Sequence, residues 1–269
     1  MKTAWCRVLE SERLYGDTHV LWLDGAEVAR GATPGQFVML RCHDEPPGGG
    51  PAGPPLFARP MSYHRLRGGP TSPQFAILYD VVGRGTTWLS QRKPGDRVFA
   101  WGPLGHGCAV RRPAQNLLLV TGGIGVAPLV WLADEAVAAG KNVVMLMGAR
   151  SASGVFPSHL LPPEVEVIVT TDDGSLGRKG LVTEVVGDYL SWADQVFACG
   201  PNAMFQGLAE VVRRFEGEGA RRGRKLVQVL LEEVMPCGTG ICYGCGTMTR
   251  KGVKLICRDG PRLELRDVF

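Results

Sequence analysis

What the 269-residue sequence lacks narrows the field first. No stretch approaches 18 uninterrupted apolar residues, so nothing in it reads as a membrane-spanning helix. The opening Met1-Lys-Thr-Ala-Trp-Cys-Arg has no apolar run of the signal-peptide kind. Eight cysteines without an export signal lead us to expect a reducing compartment, the cytoplasm, where thiols serve metals rather than disulfides. The charge imbalance is small, a formal +4 with basic residues mostly dispersed, which gives no reason to expect a nucleic-acid partner. Only one C-x2-C pair is present, where structural zinc sites commonly bring two.

What is present begins at the C-terminal end. Cys237, Cys242 and Cys245 are spaced C-x4-C-x2-C on a loop with Gly238, Gly240, Gly244 and Gly246, and Cys257 follows. Four thiolates, three on one tight loop, are the ligand set of a [2Fe–2S] cluster. Glycines let the backbone curl round a small inorganic core and aim its N–H groups at sulfur. A structural zinc ion is the competing reading. Cys6, Cys42, Cys108 and Cys199 have no mutual metal-ligand spacing.

Hydrophobic residues at 45% and charged residues at 21% describe a globular chain long enough for two ordinary domains and an appendage. Up to about Ala100, short apolar runs such as 19–23, 36–40, 74–82 and 97–101 are separated by Gly, Pro and Asp, the pattern of an antiparallel β barrel or sandwich. The Pro/Gly-rich stretch 45–55 reads as an exposed loop. Gly95–Val98 and Gly102–Gly105 read as tight turns. Two stretches have binding chemistry. Arg59-Pro60-Met61-Ser62-Tyr63 offers a guanidinium fork and a hydroxyl. Gly83-Arg-Gly85-Thr86 opens a helix whose free N–H groups suit a phosphate. Together they point to a flavin dinucleotide, and each alone reads equally as a strand edge or a turn.

From Asn116 the pattern changes to continuous apolar runs, 117–121, 142–147, 165–170, 195–198 and 225–231, separated mostly by helical stretches. This is the signature of an open parallel sheet. In such sheets ligands lie beyond the carboxyl ends of the strands. The first turn, Gly122-Gly123-Ile124-Gly125, is G-G-x-G rather than G-x-G-x-x-G, and fits either tight strand–helix packing or a nicotinamide dinucleotide. Asp172 and Gly200-Pro201 occupy later strand ends, where the carboxylate suits either ribose hydroxyls or a helix cap. Cys199, beside them, is expected to face the crevice, or else to be a small buried residue. Arg150 follows the second of these strands, either near a nucleotide phosphate or on the surface. Arg213, Arg214, Arg221, Arg222, Arg224 and Lys225 read as a solvated loop, with partner docking as the alternative.

Taken in order, R-P-M-S-Y, G-x-G-T, T-G-G-I-G-V-A-P-L, D-D-G-S-x-G, C-G-P-x-x-M and C-x4-C-x2-C-x11-C resemble the ferredoxin–NADP reductase superfamily over essentially the whole chain. The likeness is closest to the electron transfer subunits of two-component dihydroorotate dehydrogenases. It implies an FAD-binding antiparallel β-barrel domain at 1–112, an NAD-binding α/β domain with an open parallel sheet at 113–230, and a small [2Fe–2S] module at 231–269. It assigns Arg59, Pro60, Met61, Ser62, Leu78, Tyr79, Asp80, Gly85 and Thr86 to FAD, and Cys237, Cys242, Cys245 and Cys257 to the cluster. NAD, as a diffusible substrate, is expected at Gly122, Gly123, Gly125, Asp172, Gly200 and Pro201, with Cys199 near the nicotinamide. Three features depart from the pattern: Asp80 replaces a basic or neutral residue, Pro236 precedes the first ligand, and the 45–55 insert is long. The implied role is conversion between two-electron and one-electron chemistry. Electrons from dihydroorotate would leave FMN on a partner catalytic subunit, cross the cluster to FAD and pass to NAD+, in a heterotetramer of two plus two. The chain cannot house that FMN itself, since a (β/α)8 barrel takes about 250 residues. The alternatives are a flavin subunit of a sulfide dehydrogenase, hydrogenase or bifurcating transhydrogenase, and a zinc-stabilised binding module without redox chemistry.

Overall fold

The computed structural model describes residues 1–43, 57–217 and 224–269. The 45–55 insert and Arg221–Arg222 lie outside the described residues. The first hundred residues form strands β1 (Lys2–Tyr15), β2 (Thr18–Asp24), β3 (Phe37–Leu40), β4 (Arg59–Ser62), β5 (Arg65–Arg67), β6 (Gln74–Asp80) and β7 (Arg97–Leu104), with short helices α1 (Ala26–Ala29) and α2 (Arg84–Ser90). The strands make one antiparallel sheet in the order β4-β3-β7-β1-β2-β6-β5. Residues 59–67 close it, pairing with β3 through β4 and, after a bend, with β6 through β5. The two sheet edges are thereby joined into a barrel. Alternation in β7, β2 and β6 turns Val98, Ala100, Leu21, Leu23, Phe75 and Ile77 inward, all fully buried.

One expectation for this half is corrected. Gly102–Leu104 is the last part of β7, not a turn, and pairs with β1 and β3. Gly102 is there because a Cβ would lie 2.7 Å from the Tyr63 hydroxyl. Close side-chain approach, rather than chain reversal, demands that glycine.

The second half supplies β8 (Asn116–Gly122), α3 (Val126–Ala138), β9 (Asn142–Ala149), β10 (Glu166–Thr171), β11 (Arg178–Lys179), α4 (Thr183–Leu190), β12 (Gln195–Cys199), α5 (Asn202–Gly217) and β13 (Leu226–Leu230). The remaining residues give β14 (Gly246–Thr249), β15 (Gly252–Leu255), α6 (Ile256–Asp259), β16 (Arg262–Glu264) and α7 (Leu265–Val268). The second sheet runs β11-β10-β9-β8-β12-β13-β16, parallel except for β16 at the edge. Leu117, Leu118, Leu119 and Val120 are all fully buried, as a strand covered on both faces requires. Leu117 and Leu119 pack toward α3 and the barrel, whereas Leu118 and Val120 pack toward α4 and α5. Arg213 and Arg214, expected in a loop, extend α5, whose apolar face (Phe205, Leu208, Val212, Phe215) carries them on its far side.

Residues 231–269 fill the space between barrel and sheet. β14 and β15 form a separate hairpin, while β16 joins the second sheet. Cys245, Leu255, Ile256 and Cys257 share one core with Phe37, Met39 and Leu104 of the barrel. Trp101 of β7 donates its indole N–H to the carbonyl of Cys237 at 3.2 Å.

Candidate functional site

Three of the C-terminal cysteines sit on the 237–245 loop, and α6 brings Cys257 against it. Each sulfur accepts a backbone N–H: Cys237 from Thr239 at 3.4 Å, Cys242 from Gly244 at 3.4 Å, Cys245 from Cys257 at 3.4 Å, and Cys257 from Gly240 at 3.1 Å. A donor on every sulfur suits thiolates, whose negative charge such bonds stabilise. Burial opposes ionisation of Cys237, but hydrogen bonds from Thr239 and Cys242 outweigh it and bring the thiol down to about 6. Burial and the Cys245 contact push Cys257 up to about 12. Its sulfur accepts from that of Cys245 at 3.2 Å, so these two thiols are immediate neighbours. Among the described residues no three His, Cys, Asp or Glu side chains converge as a single metal ion would need. The donors fit a two-iron cluster, which takes its thiolates in pairs.

The loop owes its path to unusual backbone. Gly238 has φ +70°, and a Cβ there would lie 2.5 Å from Met39 Cγ. Gly240 has φ +81°, and Tyr243 takes φ +59°, uncommon for a bulky side chain. Cys245 and Cys257 are buried against the barrel, whereas Cys242 is exposed.

A cavity of about 740 Å³ opens between barrel, α3 and residues 231–236. That volume suits a bound cofactor. Arg59, Pro60, Met61, Ser62, Leu78, Tyr79, Asp80 and Thr86 all line it, so three separate sequence segments meet on one wall. Gly85 lies behind them. A Cβ at Gly85 would stand 2.9 Å from Arg59 Nε, so the missing side chain lets the guanidinium lie against the start of α2. Thr86 closes that turn itself, its Oγ1 accepting from Val82 N at 2.9 Å. The Asp80 carboxylate is engaged within the protein, accepting from Thr18 Oγ1 at 2.6 Å. Tyr79 turns with Phe75 and Ile77 into the barrel core, its hydroxyl buried without a hydrogen-bond partner. A cavity of this volume, lined mainly by apolar side chains and with the Arg59 guanidinium seated on Gly85, fits a flavin dinucleotide.

The residues expected to meet NAD lie at the carboxyl ends of the second sheet, outside this cavity wall. Strand order reverses at β8, whose neighbours β9 and β12 lead to opposite ends of the sheet, so the crevice opens above β8 and β12. Gly122 and Gly125 serve close packing there. A Cβ on Gly122 would meet Pro201 at 2.8 Å, and one on Gly125 would overlap the carbonyl of Cys199. Gly123, with φ +54°, faces open space. Asp172 is exposed at the end of β10, away from the Gly122–Gly200 pair. Cys199 does not face an open crevice; it is 1% exposed, and its Sγ donates to Glu232 Oε1 at 3.7 Å. Burial and Glu232 together keep the thiol protonated, and burial pushes the Glu232 carboxyl up as well.

The cavity wall that sequence reading missed is Leu231-Glu232-Glu233-Val234-Met235-Pro236, with Phe37, Ile124, Ala127 and Pro261. Nothing in L-E-E-V-M-P names a ligand. Its one signal is position, directly ahead of Cys237.

Residues 232–269 match the family described as the iron–sulfur cluster binding domain of dihydroorotate dehydrogenase B. The dihydroorotate dehydrogenase B (NAD(+)) electron transfer subunit of Desulforamulus reducens is 35% identical over 264 residues, 95% of this chain and 94% of that one. Its namesake from Geobacillus thermodenitrificans is 38% identical, covering 96% and 95%. A solved NADH-dependent reduced ferredoxin–NADP oxidoreductase, studied for flavin-based electron bifurcation, superposes with TM-score 0.81 at 28% identity, covering 100% of this chain and 91% of that one. The ferredoxin reductase of carbazole 1,9a-dioxygenase shares the fold, with TM-score 0.65 at 22% identity over 84% and 68%. Flavin cavity, parallel sheet and cysteine loop agree with these likenesses, and the chain belongs to the family of dihydroorotate dehydrogenase B (NAD+) electron transfer subunits.

Proposed function

We propose that this chain carries electrons from a partner FMN-containing dihydroorotate dehydrogenase subunit, through a [2Fe–2S] cluster on Cys237, Cys242, Cys245 and Cys257 and an FAD in the 740 Å³ cavity, to NAD+. The observation that carries this reading is continuity. Residues 231–236 wall the flavin cavity, and the next residue, Cys237, is the first cluster ligand. The three-part division at 1–112, 113–230 and 231–269, two-plus-two assembly and work in the cytoplasm belong to the same proposal. Among the described residues no helix is long and apolar enough to cross a membrane. The sulfide dehydrogenase, hydrogenase and transhydrogenase reading is not adopted, because the relatives at 32–38% identity carry the dihydroorotate dehydrogenase name.

When bound, FAD supplies hydride exchange with the nicotinamide and single-electron exchange with the cluster. The chain's residues supply the rest. Arg59, seated on Gly85, presents a fork to the pyrophosphate. Pro60, Met61, Ser62, Leu78 and Tyr79 shape the wall, Ser62 offering the flavin a hydroxyl. Gly122, Gly123, Gly125, Gly200, Pro201 and Asp172 border the NAD crevice. Glu232, its carboxyl raised by burial, stands at the wall between them and accepts from the Cys199 thiol.

The partner's place is argued from exposure. Ile241 and Tyr243, 80% and 68% exposed, flank the exposed Cys242 in the chain. Met248 and Val253, cross-strand partners in the β14–β15 hairpin, extend the patch. Large apolar side chains grouped at the open side of a redox centre suit a docked subunit. The test is an anaerobic absorption spectrum of the purified chain, with iron, sulfide, zinc and flavin assayed on the same sample. About two irons and two sulfides per FAD are expected, with Cys242→Ser losing iron and keeping flavin. Zinc without flavin overturns the proposal, as does failure of an added FMN subunit to drive NAD+ reduction with dihydroorotate.

A further inference from the structure

We propose that His64 and Arg65 are positioning residues for hydride transfer, fixing the flavin cavity and the nicotinamide crevice relative to each other by clasping helix α3; this rests on the function proposed above. The two residues directly follow the Arg59–Ser62 segment of the cavity wall. The Arg65 guanidinium grips Asp134 of α3 at both ends, Nε to Oδ2 at 2.6 Å and Nη2 to Oδ1 at 3.0 Å. Its Nη2 also donates to the carbonyl of Leu160, at 2.7 Å. Both side chains are about three-quarters buried, so the pair is shielded from the screening that weakens surface salt bridges. His64, 3% exposed, adds a second hold about two turns earlier on the helix. Its Nδ1 lies 2.9 Å from the carbonyl of Ala127, and since a carbonyl only accepts, the ring donates from Nδ1.

The helix so held belongs to both halves of the molecule. Trp131 of α3 is packed into the barrel's own core, its ring edge-on to Tyr63 at 6.4 Å. On the same helix, Leu129, Val130 and Ala133 pack with strands of the parallel sheet. Ile124 and Ala127, at its start, line the flavin cavity, and the Gly122–Gly125 turn leading into it borders the crevice above β8. The carbonyl that His64 grips therefore belongs to a residue of the cavity wall. Seven residues, 59–65, run from one cofactor's wall to the helix that starts at the other's. Hydride transfer is sensitive to such spacing; a misplacement of ~1 Å can cost about 10²-fold in rate.

The test is anaerobic rapid mixing of the FAD-loaded chain with NADH, following flavin bleaching, with NADH deuterated at the transferring position confirming that hydride transfer is observed. Arg65→Ala and Asp134→Ala are expected to keep FAD and to lower the limiting rate about tenfold or more, with less than about twofold change in NADH Kd. Arg65→Lys, which keeps charge but loses the fork, is expected to recover only part of the rate. An unchanged limiting rate beside a lowered melting temperature overturns the proposal and leaves the clasp as mere stability. Should NADH fail to reduce the wild-type flavin, the functional reading fails, and hydrogen exchange of α3 then tests the clasp alone. Faster exchange across residues 126–134 in Arg65→Ala supports it, and unchanged exchange overturns it.

Discussion

His64 is a neutral imidazole locked between barrel and helix, and burial lowers it from 6.5 to about 4. Above pH 6.5 the ring is neutral folded and unfolded, and pH has no leverage through it. Between pH 6.5 and about 4 the unfolded chain takes up a proton that the folded chain refuses, so stability falls as pH falls. The total is on the order of 3 kcal/mol, at 1.36 kcal/mol per pH unit. Urea unfolding at stepped pH should show this slope in the wild type and lose it in His64→Gln. Tyr79 makes a different prediction at the same scale. Its hydroxyl has no protein partner, so Tyr79→Phe should leave the apo-protein's stability within about 1 kcal/mol. FAD affinity should change by less than about twofold in a flavin-fluorescence titration, because the hydroxyl lies in the barrel core and is closed off from the cavity. Sequence reading placed Tyr79 among FAD residues only by family likeness. That its hydroxyl is unpaired depends on residues far away in the chain.

Among the elements, the cysteine loop sets the tightest conditions. Gly238 combines left-handed backbone with a Cβ position 2.5 Å from Met39 Cγ. Gly238→Ala must therefore lift the loop off β3, and the purified variant should carry less than about half the wild-type iron while keeping FAD and its melting transition. Unchanged iron would show that the loop can bend elsewhere. The loop was legible because its chemistry is local, four cysteines and their glycines within 21 residues. Gly102 shows the opposite case. A glycine–proline pair signals a turn, but this one lies in β7, its glycine required by the Tyr63 hydroxyl from the bend between β4 and β5. Gly122 and Gly125 likewise answer to Pro201 and Cys199, about 75 residues on, so their packing role could not be separated from a binding role by inspecting the turn.

Across the whole molecule, the arrangement is a relay with one buried and one open end. Cys245 and Cys257 are embedded in the core shared by barrel and sheet, and Cys242 with Ile241 and Tyr243 faces outward. Paired charges on the hairpin, Met248→Asp with Val253→Asp, should abolish co-elution with the proposed FMN subunit because burying two carboxylates opposes docking. The isolated variant's flavin and cluster absorption should stay as in the wild type, both side chains being exposed and remote from the cavity wall. Retained co-elution would place the interface elsewhere on the surface.

By itself the sequence determined the order of barrel, parallel sheet and cysteine module, because alternation, continuous apolar runs and ligand spacing are properties of short windows. It also singled out Arg59–Ser62, Leu78–Asp80 and Thr86, which do share one cavity wall. Only the tertiary structure decided what closes that cavity, where residues 231–236 lie across it and hand the chain to Cys237. The structure alone also joined Cys199 to Glu232 and Arg65 to Asp134, pairs separated by 33 and 69 residues. Such pairings follow from how α3 and residues 231–269 settle between the barrel and the sheet, a packing that buries apolar surface from all three and that no local pattern of residues encodes.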